Sequence, residues 1–248
     1  MQIPPYLLNE HYNDRYFDVV DAFEEARHIH LSGSRVEERV REACRNGEEF
    51  RIGETGFGAG RVLAALIDTL EACENLNYKI HYSSVELYPL SIERMKCVLE
   101  GFRDRADSHI QKMCEAYSRL DISKPGWHQA AIKAKSGIIE LRLFAGEALD
   151  MILSLDAPCD AWFLDGHGPK KNPDIWRTEL LSAIGAKTVS GGTVTTYTVA
   201  GHVRRDLAAA GFSLEKVCGF GGKKEVLRGE KLAAGSEDRI TADSTTHR

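Results

Sequence analysis

Beyond residue 50 the chain alternates between short apolar runs with strand character and stretches whose apolar positions recur at helical spacing. Seven runs read as strands: "FRIGE" (50–54), "KIHYSSVE" (79–86), "GIIELRLF" (137–144), "CDAWFLD" (159–165), "GTVTTYT" (192–198), "FSLEKVC" (212–218) and "KKEVLRG" (223–229). Helical stretches lie between them at Gly60–Leu70, Ser91–Leu99 and on to about Leu120, Glu147–Leu155, Ile175–Gly185 and Val203–Ala210. Strands alternating with helices predict an α/β fold, a mostly parallel sheet of seven strands wrapped by helices on both faces. The last two runs are joined only by "GFGG", too short for a crossover, so they should close the sheet as an antiparallel edge hairpin.

Before that alternation, residues 1–49 hold "YNDRYFDVVDAFEEARHIHL" and a charged helix, "SRVEERVREAC". Ser34 is placed to cap that helix, with Glu37 three residues on as the capping-box partner. The expected organisation is an N-terminal extension (1–49) packed on one domain (50–230), followed by a tail (231–248). The tail's "AAGSEDRITADSTTHR" is small and polar, a composition that predicts disorder.

Composition narrows the class. At 248 residues the chain can bury a substantial core, and 43% hydrophobic with 28% charged residues is an ordinary soluble balance. No apolar run approaches the ~20 residues of a membrane span, and "MQIPPYLLNEHYNDRYF" lacks the basic-then-apolar pattern of a signal peptide. Six scattered cysteines, with no C-x-x-C pair and no histidine at ligand spacing, read as reduced thiols of a cytoplasmic protein without a metal. The net charge of −5 is unevenly spread: residues 1–50 carry eleven acidic and six basic side chains, residues 165–228 six acidic and ten basic. Screening limits each charge to about 8–10 Å, so a basic face can meet a polyanion on an acidic protein, although a solvated surface accounts for the same charges.

Candidate chemistry begins in "GETGFGAGRVLAALIDTL", where four glycines in eight residues run straight into a helix. A dinucleotide fingerprint counted from Gly56 would need glycine where Arg61 stands. The register that fits is E-x-G-x-G-x-G over Glu54, Gly56, Gly58 and Gly60, the first motif of S-adenosylmethionine (SAM) methyltransferases. The alternative is a glycine-rich turn without a ligand.

Ligands of open α/β sheets sit at the carboxyl ends of strands, and three carboxylates end strands here. Glu86 closes the second strand, where an acid accepts hydrogen bonds from both ribose hydroxyls; it lies 32 residues beyond Glu54, further than the usual ~20, so a longer element must intervene. Glu147 follows the third and either reaches an adenine amino group or caps its helix. Asp165 ends the fourth, "CDAWFLDGHGPKKNPDIW", beside the place a donor methyl occupies in this fold. His167 offers a ring for stacking or for accepting a proton, or is a plain loop residue, and Trp176 is better read as core.

The segments "DAWFLDGHGPKKNPDIW", "TYTVAGHVRRDLAAAGF" and "GFGGKKEVLRG", in this order, resemble the methyltransferase domain of bacterial tRNA 5-methylaminomethyl-2-thiouridine biosynthesis enzymes, the MnmC/MnmD family. The similarity extends to "YFD", "ETGFGAG", "VELYPL" and "LRLFAGEAL", and so spans about residues 10–230. It implies a class I SAM-dependent methyltransferase fold, with Asp165 as the catalytic residue and Glu54, Gly56, Gly58, Gly60, Glu86 and Glu147 around the cofactor. His167 stands where an aromatic such as Phe is usual, and Glu147 where Asp is usual. Bifunctional members add an FAD-dependent oxidase domain; this chain resembles the stand-alone methyltransferase, with SAM and no FAD.

The implied reaction methylates the primary amine of 5-aminomethyl(-2-thio)uridine at the tRNA wobble position. The implied partner is a tRNA anticodon stem-loop, with a functional link to a separate oxidase or to the enzyme that installs the aminomethyl group. Lys170, Lys171, Arg204, Arg205, Lys223 and Lys224, with His167, are the candidate tRNA contacts. Two alternatives remain: a polyamine aminopropyltransferase, disfavoured by those cations, and a non-catalytic RNA-binding module, disfavoured by the glycine turn and Glu86.

Overall fold

The computed structural model describes residues 4–17, 21–100, 103–221 and 225–233, with 103–107 as backbone only. Lys223, Lys224 and the expected disordered tail beyond Ala233 lie outside the described residues.

A short hairpin, β1 (Leu8–Asn9) and β2 (Asp14–Arg15), opens the chain, followed by α1 (Ala22–Ala26), a π-helical turn at Arg27–Ser32 and α2 (Val36–Asn46). The expected capping box at Ser34 is not formed. Arg35, left-handed at φ 51°, takes the cap position with no side-chain bond, and Ser34 is buried one residue earlier.

The alternating region follows: β3 (Phe50–Thr55), α3 (Arg61–Glu71), β4 (Tyr78–Glu86), α4 (Ile92–Leu99), α5 (Arg103–Tyr117), β5 (Gly126–Ala134), β6 (Gly137–Ala145), α6 (Ala148–Leu153), β7 (Cys159–Leu164), α7 (Thr178–Ala186), β8 (Thr188–Thr196), α8 (Gly201–Ala209), β9 (Phe212–Cys218) and β10 (Glu225–Lys231). Among the described residues the sheet has eight strands in the order β5-β6-β4-β3-β7-β8-β10-β9. Its five central strands are parallel, and β10 and β9 form the expected antiparallel edge hairpin. The strand beyond the expected seven is β5, antiparallel to β6 on the opposite edge. Its segment, "GWHQAAIKA", buries only Ile132, so no two-residue alternation announced it.

Two apolar cores sandwich the sheet. Successive residues of β7 show the division: Ala161 and Phe163 join the core under α1, α2, α3 and α5, while Trp162 and Leu164 join the one under α6, α7 and α8. Among the described residues both faces are therefore covered, which leaves the ends of the strands open to a ligand. Strand order reverses between β3 and β7, so the crevice opens where Thr55 and Leu164 end side by side; the Asp165 N–H donates to the Thr55 carbonyl at 3.1 Å.

Candidate functional site

A cavity of about 420 Å³ lies at this switch point. On one wall the glycine turn folds back onto the end of β4. The Gly56 and Phe57 N–H groups donate to the Val85 carbonyl at 3.2 and 2.9 Å. Gly56 has φ +89°, and a Cβ there would stand 2.2 Å from the Asp165 carbonyl oxygen, so the close crossing of β3 and β7 demands glycine. The Glu86 carboxylate is held by two backbone donors, Gly58 N–H at 2.9 Å and Tyr88 N–H at 3.0 Å, and is thereby fixed at the cavity wall.

Not every expected cofactor residue is in that wall. Gly56, Gly58, Glu86 and Glu147 line the cavity; Glu54 and Gly60 do not. Gly60 ends the turn at φ +75° as the cap of α3, with Met113 and Phe57 packed where its Cβ would be. Glu54 is 1% exposed beneath the turn, accepting the Ser84 hydroxyl at 2.6 Å, and burial pushes its carboxyl up to about 8. It is a buried, mostly protonated acid at neutral pH and has no surface for a ligand. Glu147 takes the capping option left open by the sequence, accepting Leu149 N–H while Arg177 bonds the same carboxylate at 2.8 Å and holds it below the usual carboxylate range.

The other wall, on the β7 side of β3, carries Asp165, directly after β7. Arg61, the first residue of α3, donates to Asp165 Oδ2 at 2.7 Å, to Glu25 Oε2 at 2.9 Å and to the Ala22 carbonyl at 3.1 Å. Burial works against this guanidinium's charge, but Asp165 and Glu25 outweigh it and keep it protonated. His30, fully buried, bonds Thr195 through Nδ1 and places Nε2 3.9 Å from Asp165 Oδ2. In the following loop the Gly166 carbonyl accepts the Tyr197 hydroxyl at 2.6 Å, and the His167 carbonyl accepts the indole N–H of Trp176 at 2.7 Å. Trp176 is a core residue, 1% exposed, and steadies the loop from below.

The β1–β2 hairpin lies across the mouth and touches both walls. His11 stacks on Tyr88 at 3.7 Å between ring centres, and Tyr12 lies 4.7 Å from the His167 ring. Asn9 Nδ2 donates to His167 Nε2 at 2.9 Å, which assigns the proton to Nδ1, facing Asp14 Oδ2 at 3.4 Å. Lys171 reaches the Asn13 carbonyl at 3.1 Å. Lys170, Arg204 and Arg205 are exposed and outside the cavity wall.

Sequence reading missed this hairpin, together with Glu25, Arg61 and Tyr197. The available signal was Arg61 itself, a lone cation opening the apolar helix "RVLAALI". In the sequence it stands out only as the residue that breaks a dinucleotide fingerprint.

The donor set suits SAM. A carboxylate stands at a strand end beside accessible backbone, and apolar Phe57, Val85 and Leu87 line the same cavity. The profile of the S-adenosyl-L-methionine-dependent methyltransferase family matches residues 106–232, just over half of the chain. The chain belongs to that family.

The methyltransferase is similar to the tRNA 5-methylaminomethyl-2-thiouridine biosynthesis bifunctional protein MnmC of Pseudomonas fluorescens, 37% identical over 221 residues, or 89% of this chain and 32% of the relative. The protein of the same name from Caulobacter vibrioides is 36% identical over 220 residues, 87% of this chain and 35% of the relative. The chain thus spans about a third of the length of the curated relatives it matches. In fold, it resembles the crystal structure of MNMC2 from Aquifex aeolicus with a TM-score of 0.67 at 23% identity, over 92% of this chain and 67% of that one. The class I methyltransferase sheet and the SAM donor are therefore established for this methyltransferase, and the non-catalytic alternative falls away. No described helix is long and apolar enough to cross a membrane.

Proposed function

We propose that this methyltransferase transfers a methyl group from SAM to the primary amine of 5-aminomethyl(-2-thio)uridine at the wobble position of tRNA. The observation that carries the proposal is that two carboxylates, Glu86 and Asp165, line one cavity from the strands on either side of β3, at the topological switch point. The name of the relatives, tRNA 5-methylaminomethyl-2-thiouridine biosynthesis, supports a methylaminomethyl product and hence a primary-amine acceptor.

SAM supplies an electrophilic sulfonium methyl. On the Glu86 wall, the carboxylate oxygens each keep a lone pair beyond the bonds to Gly58 and Tyr88, enough to accept the two ribose hydroxyls. Gly56 and Gly58 give backbone access, and Glu147 borders the adenine side. On the other wall Asp165 holds the acceptor. A primary alkyl amine must lose a proton before its lone pair can attack, and a partly dry pocket favours that loss. Because Oδ2 of Asp165 is engaged by Arg61, orientation of the amine is the larger part of its role. Lining up two bound reactants supplies several kcal/mol.

The wobble base lies in an exposed loop, so it can enter without strand opening and stack on the Tyr12 and His167 rings. Lys170, Lys171, Arg204 and Arg205 are the phosphate contacts proposed around the anticodon stem-loop, with Lys223 and Lys224 as further candidates. A tRNA substrate fits a cytoplasmic protein working with a separate oxidase or with the enzyme that installs the aminomethyl group. The test is methyl transfer from labelled SAM to tRNA taken from cells unable to complete this modification, followed by nucleoside analysis. Label in 5-methylaminomethyl(-2-thio)uridine is expected; label elsewhere, or none, overturns the proposal.

A further inference from the structure

Arg61 is hard to explain as a stabilising residue. Its side chain is 9% exposed, at the first position of a helix whose next six residues are all buried and apolar. A cation there opposes the positive end of the helix dipole and must be taken out of water. A leucine-sized residue in the same place would serve folding at least as well, since buried ion pairs are often neutral or costly against apolar replacements. The guanidinium spans two carboxylates that both border the cavity, Asp165 and, on α1, Glu25. Its position also ties the residue after the glycine turn to the acceptor wall, so one side chain joins donor loop, N-terminal segment and Asp165.

We infer that Arg61 is a positioning residue for methyl transfer, and that Glu25 offsets its charge so that the acceptor end of the cavity stays net negative. Resting on the reading that Asp165 meets an amine, this divides the work in two. Arg61 fixes the Asp165 carboxylate in one rotamer and keeps it ionised. Glu25 cancels the repulsion that a lone guanidinium would exert on an incoming ammonium. Other titratable groups face Asp165 from each packed element: His30 from the π-helical turn, Glu54 from β3, Tyr82 from β4 and Tyr197 beyond β8. Of these, Glu54 is held protonated near neutral pH and adds no charge.

The two partners should therefore move the pH dependence in opposite directions. Arg61→Leu leaves two carboxylates together in a dry space, so the acid limb of the pH–kcat profile should move up by about one unit or more. Glu25→Gln leaves Arg61 wholly to Asp165; the acid limb should move down, while KM for tRNA rises several-fold because the pocket has lost its excess negative charge. The double variant, Arg61→Leu with Glu25→Gln, should return the limb toward wild type, and Arg61→Lys should keep it. SAM affinity should stay within about twofold throughout. A purely structural role would instead lower the melting temperature and scale activity with no displacement of the limb. Should Arg61→Leu fail to fold, the Glu25→Gln and Arg61→Lys profiles still decide the matter. A limb that coincides with wild type in folded Glu25→Gln or Arg61→Leu, a displaced limb in Arg61→Lys, or Glu25→Gln and Arg61→Leu moving the same way overturns the inference. If wild-type protein methylates no tRNA, the substrate reading fails, and the carbon-13 titration of the Asp165 carboxyl in the same variants tests the charge coupling without substrate: opposite displacements support it, and an unmoved titration overturns it.

Discussion

The two walls of the cavity are built in different ways. The wall around Glu86 is mostly backbone: a glycine turn, a strand end and a helix start, each supplied by a few consecutive residues. The wall around Asp165 is mostly side chain, assembled from Glu25, Arg61, Asp165, His167 and Tyr197, which lie in four separate segments of the chain, and the β1–β2 hairpin lies against both walls. The difference fits the proposed division of donor and acceptor between the walls. A donor shared by many methyltransferases can be held by local turn geometry, whereas one acceptor must be picked out by groups converging from several directions.

The largest effect should come from the acceptor wall. Asp165→Asn keeps the shape and one acceptor oxygen but removes the charge that answers Arg61 and the amine. Methyl transfer should fall by roughly 10²–10⁴, the span for losing a positioned acid–base group, while SAM affinity stays nearly constant. With amine deprotonation limiting, the wild-type rate should rise with pH and level off near the pKa of the bound amine. A near-normal rate for the variant across that range would dissolve the division between the walls and turn attention to His167.

Next comes the donor wall. Glu86→Ala removes the proposed ribose acceptor and also strands the Gly58 and Tyr88 N–H groups. Calorimetry should find SAM binding weaker by roughly 1.5–3 kcal/mol, the value of hydrogen bonds to a charged group. Unchanged affinity in a folded variant would take Glu86 out of the site.

The same division explains what the sequence disclosed. Residue order alone places Gly56, Gly58, Glu86 and Asp165 at strand ends, because a parallel sheet delivers its carboxyl ends to one edge. It could not distinguish Glu54, whose carboxylate sits in the same motif but points beneath the turn to Ser84. Neither could it bring Glu25 within 2.9 Å of Arg61, 36 residues away, or fold the β1–β2 hairpin onto His167, 158 residues beyond Asn9. Those contacts depend on how the N-terminal segment packs, and strands of two residues carry no periodicity. The edge strand β5 escaped for a related reason: it is half-exposed along most of its length.

A smaller effect is expected where the hairpin meets the loop. His167→Phe keeps a ring against Tyr12 but loses the bonds to Asn9 and Asp14. At about 1 kcal/mol for the Asn9 bond, KM for tRNA should rise about fivefold, with kcat and SAM affinity little changed. Kinetics in which SAM affinity falls instead would mean that the hairpin serves the donor wall.

The smallest effect on activity should come from Glu54, and its signature lies elsewhere. Glu54→Gln preserves an oxygen for the Ser84 hydroxyl and should leave SAM affinity and methyl transfer nearly unaltered. Stability should respond through pH. Burial holds the folded-state carboxyl protonated up to about 8, against 4.5 for an ordinary glutamate. Between those values the folded chain binds the proton and the unfolded chain does not, so wild-type stability declines as pH rises from 4.5 to 8 and levels off above. The loss is on the order of a few kcal/mol at its full extent. Glu54→Gln cannot ionise and should lack this decline, melting at a higher temperature than wild type at pH 8 and at nearly the same temperature at pH 4.5. Parallel melting curves for the two proteins across that range would mean that the carboxylate is solvated or paired, returning Glu54 to the cavity wall and to the set of groups that could meet the cofactor.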